Sequence, residues 1–393
     1  MKKLLILLAV VIGFGHCLSA QPHYAEVLKI VEARNPMLRA ARHHAEAQQV
    51  QAHVGALIPD PSISASYFWA DPASIGPRWD LAVSQSFELP SVLVRRARLR
   101  DLESKAAEIG YGTLRNATLL EAQLACAEMV YCNALTRVYD RICRSAIQLA
   151  VLYRDRYAAG DCSLIEYNRA QMNLADVQDK AATINLRRDH AVHDLRTLLD
   201  TNVYELYQVE FEPVAVESSF EEWYDTLEMK NPALQQLRNQ YEKSKQQASL
   251  SRWQWLPTME VGYASENHAD NAFRGVKVGF TIPLMSSQRA ARAAAMEQRA
   301  AEEELAARRI ELFSQLRCMF HRHEALIRNW GNLKSALEQC SSVDLLDKAL
   351  QQGEISLEQY LQQVDYYYEM EVRMYDVAYE LEQLHLQLYS ITL

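Results

Sequence analysis

The sequence contains little glycine and little proline, with 12 glycines and 11 prolines in 393 residues. These two residues interrupt helices and strands, so their scarcity predicts long uninterrupted elements. Basic residues are also in deficit, because 41 Lys and Arg stand against 50 Asp and Glu. A chain with a net charge of −9 does not favour nucleic acid as a partner, since binding to phosphates needs an excess of positive charge.

Long hydrophobic runs are missing after the N terminus, so no segment of the mature chain is expected to form a transmembrane helix. Catalytic motifs are missing as well. The sequence has neither a Gly-rich phosphate-binding loop with its Lys nor the His-Glu-x-x-His pattern of zinc peptidases. We therefore expect no enzymatic activity and no cofactor.

The seven cysteines include no Cys-x-x-Cys pair. Cys126, Cys132 and Cys143 lie along one predicted helix, whose geometry excludes bridges among them. Disulfides between different helices stay open, but we expect small buried thiols. Two stretches, His43-His44-Ala45-Glu46 and His321-Arg322-His323-Glu324, invite a metal interpretation. Neither places histidines four residues apart, so we expect no metal site.

Residues 1–20 have the pattern of a secretory signal peptide. Two lysines precede an apolar run that ends at Phe14, and Ala20 provides the small residue of a cleavage site. The run is too short for a membrane anchor. An alternative is a lipoprotein acylated at Cys17. The pattern predicts export of the mature chain.

Two segments, at about 61–89 and about 258–283, alternate between apolar and polar residues as β-hairpins do. Prolines bracket both segments, and a polar loop rich in Asn and Asp is expected between the arms of the second hairpin. The apolar positions of the second arms are Trp79, Leu81, Val83, Phe87 and Leu89 in the first hairpin, and Val276, Val278, Phe280 and Ile282 in the second.

The opposite face of these strands is polar, which fits neither a sandwich core nor a solvated meander. Strands that are apolar on one face and polar on the other, with aromatic residues near their ends, are typical of a transmembrane β-barrel wall. A sheet that contacts lipid must close, and four strands cannot, so several copies must combine. Three copies give twelve strands with a lumen. The alternative is a pair of solvent-exposed hairpins on a helical protein.

Four short motifs occur twice, in the same order, at offsets of 193 to 198 residues. This predicts a tandem duplication in which each copy reads helix, hairpin, long helix, turn and helix. The predicted organisation is a signal peptide at 1–20, a first repeat at 21–200, a connector at 201–218 and a second repeat at 219–393. The motif pairs are Asn35-Pro36-Met37-Leu38 with Asn231-Pro232-Ala233-Leu234, Leu57-Ile58-Pro59 with Trp255-Leu256-Pro257, Phe87-Glu88-Leu89-Pro90 with Phe280-Thr281-Ile282-Pro283, and Gly160-Asp161-Cys162-Ser163-Leu164 with Gly353-Glu354-Ile355-Ser356-Leu357.

The stretch from 91 to 158 contains no proline and predicts one helix of roughly 68 residues, about 100 Å long. Its counterpart, at about 286–350, carries apolar residues at the spacing of a coiled-coil seam, and His323 falls on that seam. No globular core is as wide as these helices are long. We therefore expect rods packed side by side.

The signal peptide, the tandem repeat, the Asn-Pro-x-Leu openings and the paired turns Tyr157-x-x-Gly160-x-x-Ser163 and Leu350-x-x-Gly353-x-x-Ser356 resemble the TolC-like outer membrane factor (outer membrane efflux protein) family. The resemblance covers essentially all of the mature chain. It implies a mainly helical homotrimer, in which a twelve-stranded β-barrel in the outer membrane continues into an α-helical barrel across the periplasm. It also implies a passive exit duct for efflux or type I secretion, which docks on a periplasmic adaptor (membrane fusion) protein and an inner-membrane transporter.

The resemblance also assigns roles to individual residues. The two turns, with Tyr157, Gly160, Ser163, Leu350, Gly353 and Ser356, would contact the adaptor, although a purely structural role is the alternative. The polar strand faces would line a wet and mostly acidic lumen with Asp80, Ser84, Glu88, Glu260 and Lys277.

The closed periplasmic mouth departs from the family pattern. Relatives narrow it with acidic residues just beyond the second turn, where this chain has Gln359 and Gln362. We therefore expect the gate at Gln359, Gln362 and Asp365, with Glu166 at the corresponding place in the first repeat. The competing function is a secreted helical structural or adhesive protein that forms no channel.

Overall fold

The structure, a computed structural model, describes residues 22–54, 59–69, 76–200, 208, 211, 219–253, 256–268, 271–282, 287–340 and 343–390. The predicted signal peptide, including Cys17, lies outside the described residues, as does nearly all of the predicted connector. The bounds of the two sequence repeats stay a prediction.

Nine helices and four strands occur in the described chain. None of the described helices is both long and apolar enough to span a membrane. In chain order the elements are α1 (Pro22–Arg34), α2 (Pro36–Val54), β1 (Ser62–Phe68), β2 (Arg78–Phe87), α3 (Pro90–Ala159), α4 (Leu164–Leu199), α5 (Phe220–Glu228), α6 (Pro232–Trp253), β3 (Thr258–His268), β4 (Asn271–Thr281), α7 (Ser287–Gln339), α8 (Val343–Gln352) and α9 (Leu357–Tyr389).

These elements form two compact units, each of which draws on both halves of the chain. We call the first the helical unit; it comprises the described residues of Met1–Arg39, Leu114–Leu227 and Phe313–Leu393. We call the second the hairpin unit; it comprises the described residues of Ala40–Thr113 and Glu228–Leu312 and contains all four strands.

The repeated Asn-Pro-x-Leu motif is a helix start that also buries a side chain. The Asn35 side-chain oxygen accepts a hydrogen bond from the Leu38 amide at 3.0 Å, and Asn231 accepts one from the Leu234 amide at 3.1 Å. The proline in each motif occupies the first helical position, where a missing N–H costs nothing. Both leucines are 1% exposed. The motif thus fixes where α2 and α6 begin.

The longest helix is confirmed, and its counterpart is shorter than expected. Helix α3 runs for 70 residues without a break. The single helix expected at about 286–350 is wrong, because α7 ends at Gln339 and α8 begins at Val343. Asp344 in the first turn of α8 favours this new N terminus through the helix dipole. His323 lies on the buried seam, at 1% exposed.

A polar cluster joins α3, α4 and α9 inside the helical unit. Glu128 accepts hydrogen bonds from Arg187 and from the Tyr379 hydroxyl, and the rings of Tyr131 and Tyr379 stack 4.6 Å apart. The Arg187 guanidinium lies 4.7 Å from the centre of the Tyr131 ring. Burial, with the neighbouring carboxylates, raises the pKa of both phenols, so they remain neutral hydrogen-bond donors. This cluster fixes the register of the three helices.

The cysteines follow the expectation of buried thiols only in part. Burial raises the pKa of Cys126 and Cys132 to about 12, which makes these thiols inert. Cys318 and Cys340 are exposed, contrary to the expectation. The six cysteines of the described chain are free thiols.

In the hairpin unit, the two hairpins join into one antiparallel sheet in the order β1-β2-β3-β4. The pairing of β2 with β3 links segments almost two hundred residues apart in the sequence, and it was not predicted. The polar loop expected in the second hairpin is much shorter than thought, because β3 continues to His268 and β4 begins at Asn271. Backbone hydrogen bonds form the ladder whatever the side chains are, so Ser265 pairs with Arg274 within it.

Candidate functional site

One face of the sheet is apolar across all four strands. In register across it lie Ile63 of β1, Val83 of β2, Tyr263 of β3 and Val276 of β4. Ile63 is 72% exposed and Val276 is 76% exposed. A continuous apolar face of this kind is unfavourable in water, so it requires lipid or another chain to cover it.

The opposite face is polar and carries four of the five residues predicted for a lumen. Lys277 donates to Glu260 at 3.4 Å, and Ser84 lies beside them on β2. Asp80 also lies on this face, where it binds Arg78 at 2.9 Å. Glu88 follows the end of β2 and forms an ion pair with Arg96 at 2.6 Å.

Sequence reasoning missed two charged residues of this polar face, Arg78 and Glu266. They form an ion pair at 3.2 Å across β2 and β3. The sequence pattern could have placed both residues on this face. Each lies an even number of residues from Asp80 or Glu260 in the same strand, and such residues point to the same side of a sheet. Glu266 was overlooked because its polar stretch was assigned to the loop expected between the arms of the second hairpin, and Arg78 because it precedes Trp79, the first apolar position of its arm.

The two outer strands end the sheet within the described chain. β1 pairs only with β2, and β4 pairs only with β3. An open edge presents unpaired N–H and C=O groups along its length. Such groups cannot face hydrocarbon, so this sheet can enter a membrane only if each edge pairs with another strand.

The helical unit contains the two predicted turns, which share one backbone geometry. Gly160 and Gly353 have φ angles of +80° and +75°, the left-handed conformation that glycine adopts at least cost. After each glycine, the next amide bonds back to the helix, from Asp161 to Arg156 at 2.8 Å and from Glu354 to Ala349 at 2.9 Å. These are Schellman turns, which end α3 and α8.

The side chains of the two turns differ in exposure. Tyr157 is exposed and stacks on Tyr167 at 5.2 Å, and Ser163 and Ser356 are exposed helix caps. Leu350 is buried in the core beside the second turn. Sequence reasoning missed Ile165, which follows the first turn and is 78% exposed.

Two of the expected gate residues take part in helix caps. The Ser163 amide and hydroxyl both donate to the Glu166 carboxylate at 2.8 Å, and Ser356 donates from its amide to Gln359 at 3.0 Å. The backbone and side-chain hydrogen bonds from Ser163 lower the pKa of Glu166. Gln359 forms the same cap without the charge.

The other two expected gate residues, Gln362 and Asp365, lie on α9, and the exposed Asp365 keeps its carboxyl partly shielded from water. Partial withdrawal from water raises the pKa of Asp365; the charge of Lys180 opposes this rise, and that of Asp176 adds to it. Near the start of α9, Glu358 forms an ion pair with Arg169 of α4 at 3.2 Å. The structure therefore places charges of both signs along the facing surfaces of α4 and α9.

The raised pKa of Asp365 means that its charged form is less favourable in the folded chain than in water. We expect Asp365→Asn to raise the thermal unfolding midpoint of the purified protein at neutral pH. The gain should shrink as the pH falls, because the carboxyl is then protonated in both the folded and unfolded states. Circular dichroism melts at several pH values measure this. An equal or larger gain under acid conditions would contradict the assignment.

Among the described residues, neither histidine stretch brings three candidate metal ligands together. His43 contacts Glu46 at 3.3 Å, and His321 contacts Glu324 at 3.1 Å, each pair on its own helix. Within the described ranges, no three His, Cys, Asp or Glu side chains converge as metal ligands would.

Comparison with known proteins gives a fold but no sequence relative. No protein-family model matches the sequence, and no curated protein matches it. A membrane protein from Pseudomonas aeruginosa superposes with a TM-score of 0.83 at 12% identity, over 94% of this chain and 93% of that one. The Campylobacter jejuni CmeC outer membrane channel gives 0.79 at 14% identity, over 94% and 85%. The outer membrane protein VceC of Vibrio cholerae gives 0.74 at 14% identity, over 94% of each chain.

The agreement covers the helices and the sheet together, because nearly all of this chain is matched in each case. The expected fold class, mainly helical with paired β-hairpins, is confirmed. This chain has the fold of the TolC-like outer membrane channels.

Proposed function

We propose that the protein is the outer membrane exit duct of an efflux system, located in the outer membrane and extending into the periplasm. It acts as a passive channel and not as an enzyme. The observation that most supports this proposal is the four-stranded sheet, which is apolar on one face and polar on the other. Within the described residues, its two outer strands have no further strand paired to them.

Closure of the sheet supports a homotrimer. If β4 of one copy pairs with β1 of the next, no edge remains. Two copies would make eight strands, whose interior is normally filled by side chains, whereas three would make twelve and leave a lumen. The charged residues of the polar face, among them Glu260 and Lys277, need water and favour three copies.

Aromatic residues support placement of the sheet in a bilayer. Tyr67 and Trp79 are paired at one end of the apolar face, and Phe87 and Phe280 lie at the other end. Barrels in outer membranes carry such girdles of aromatic side chains at both interfaces. The apolar face between them is the part that would contact lipid.

The partners form the finer part of the proposal. A passive channel needs an energy source, so it would dock on a periplasmic adaptor protein and an inner-membrane transporter, for efflux or type I secretion. The two glycine turns are the proposed docking sites. Their exposed surface, which includes Tyr157, Ser163 and Ser356, supports this assignment, whereas the buried Leu350 would act from beneath the second turn.

The gate is proposed at Glu166, Gln359, Gln362 and Asp365, and it can be tested without breaking the helix caps. Glu166→Gln removes a charge but copies the cap that Gln359 already forms. Combined with Asp365→Arg, it should change single-channel conductance measured from purified protein. Glu121→Gln, a charge change elsewhere in the helical unit, serves as the control. Conductance equal to wild type in the double variant would remove these residues from the gate.

The function itself is tested by reconstitution into planar lipid bilayers. We expect discrete, ion-conducting channels from the detergent-extracted protein. A secreted helical structural or adhesive protein is the alternative, and it would give no channels and would fractionate away from the outer membrane.

A further inference from the structure

We infer that Phe68 and Phe273, braced by Arg78, Asp80 and Glu266, form a constriction at the hairpin-loop end of the lumen, which limits conductance and favours cations. This inference rests on the proposed trimeric channel. It assigns a specificity-determining site to residues outside the predicted gate, which lies in the helical unit.

The topology places these five residues at one end of the sheet. The chain passes from β1 to β2 after Phe68 and from β3 to β4 after His268. The other ends of all four strands lead into helices. In an outer membrane channel whose helices occupy the periplasm, the loop ends lie at the external mouth.

Both phenylalanines lie on the polar face, against the pattern of their strands. Phe68 pairs with Arg78, and Phe273 pairs with Glu266. Phe68 is 52% exposed and Phe273 is 64% exposed. A large aromatic side chain that points toward a water-filled lumen takes up space there and gains no burial against lipid.

The adjoining row of the polar face contains only small side chains. In register across the four strands it reads Ser64, Ala82, Ala264 and Gly275. No residue of this row is larger than serine or alanine, so the lumen is wide at this level. The two rows that contain Phe68 and Phe273 carry much larger side chains than this row does. In the half of the sheet nearest the hairpin loops, the lumen is therefore narrowest at the two phenylalanines.

Ion pairs hold this end of the sheet in place. Arg78 donates to both oxygens of Asp80, at 2.9 and 3.0 Å, and reaches Glu266 at 3.2 Å. Its guanidinium also lies 5.7 Å from the centre of the Phe68 ring. A bidentate arginine is a rigid support, so it restrains the ring that it contacts.

The charges of the site are unequal. One guanidinium faces two carboxylates, which leaves one negative charge per chain and three in a trimer. A ring of carboxylates in a narrow, water-filled passage favours cations over anions. The Glu260 and Lys277 pair, farther from the loop end, is neutral and contributes no such preference.

Single-channel recording tests the constriction. Phe273→Ala should raise conductance by roughly 1.5-fold, since it widens the narrow row. Phe68→Ala should act in the same direction and provides a second variant if the first assembles poorly. Val278→Ala is the control, because it shortens a side chain of the same strand on the opposite face and outside the aromatic girdle.

Ion selectivity tests the charge. Glu266→Gln should lower the cation-to-anion permeability ratio obtained from reversal potentials in a salt gradient. If wild-type protein forms channels but both phenylalanine variants conduct as wild type does, the constriction is wrong and the channel function stands. If wild-type protein forms no channels, the proposed function itself fails.

Discussion

We expect Val276→Arg to prevent assembly of the channel and Gly275→Arg to leave it intact. The two positions are neighbours on β4 and point to opposite faces of the sheet. Val276 lies at mid-strand on the apolar face, in register with Tyr263. An arginine on the lipid-facing side of an outer membrane barrel costs about 2–4 kcal/mol near the bilayer midplane, and a trimer would bear this cost three times.

Gly275 is a stringent control for this change. A Cβ atom added there meets no atom within 4 Å, and the row across from it contains only small residues. The arginine therefore extends into water if the polar face lines a lumen. Semi-native electrophoresis of the outer membrane fraction, with and without heating, measures the trimer. Equal trimer yields for the two variants would show that the two faces meet the same environment.

We expect Gly262→Ala to weaken the pairing between the two hairpins of the sheet. A Cβ atom at this position would lie 2.6 Å from the Val83 carbonyl oxygen and 2.8 Å from the Ser84 Cβ atom. Because the carbonyl belongs to the backbone, it cannot turn away, and β2 and β3 must move apart. Overpacking of this kind costs about 1–3 kcal/mol per chain. The β2 and β3 pairing is the only link between the hairpins in the described sheet, so the wall weakens at its centre.

Gly275→Ala gives the matched comparison, since the same methyl group there meets nothing within 4 Å. We expect the Gly262 variant to lower the temperature at which the detergent-solubilised trimer dissociates, and the Gly275 variant to leave it near the wild-type value. A Gly262→Ala trimer as heat-stable as wild type would mean that β2 and β3 are not in the observed register.

The strands could be predicted from sequence because alternation is a local signal, as in Val276, Val278 and Phe280. The pairing of β2 with β3 could not, because nothing local joins Val83 to Tyr263. The end of the second hairpin was missed for a related reason. Polar residues from Ser265 onward suggest a loop, yet the backbone ladder continues through them.

In the helices, too, features set by neighbouring residues could be predicted from the sequence, whereas features set by packing between distant segments could not. The absence of proline from 91 to 158 predicted α3 in full despite Gly110 and Gly112, whereas the end of α7 at Gln339 carries no glycine or proline to mark it. At the turns, the spacing of Ser163 with Glu166 and of Ser356 with Gln359 is a capping-box signature. This signature could be recognised in the sequence. It accounts for the four residues as helix caps, without any role in a gate. The burial of Leu350 depends on tertiary packing and was not readable.

The proposed channel depends on closure of the sheet by three chains. Native mass spectrometry of the protein extracted from outer membranes in mild detergent measures this closure. We expect a complex with three times the mass of the mature chain. A single chain that retains its folded sheet under these conditions would contradict it, because the apolar face and both open edges would then be stable without partners.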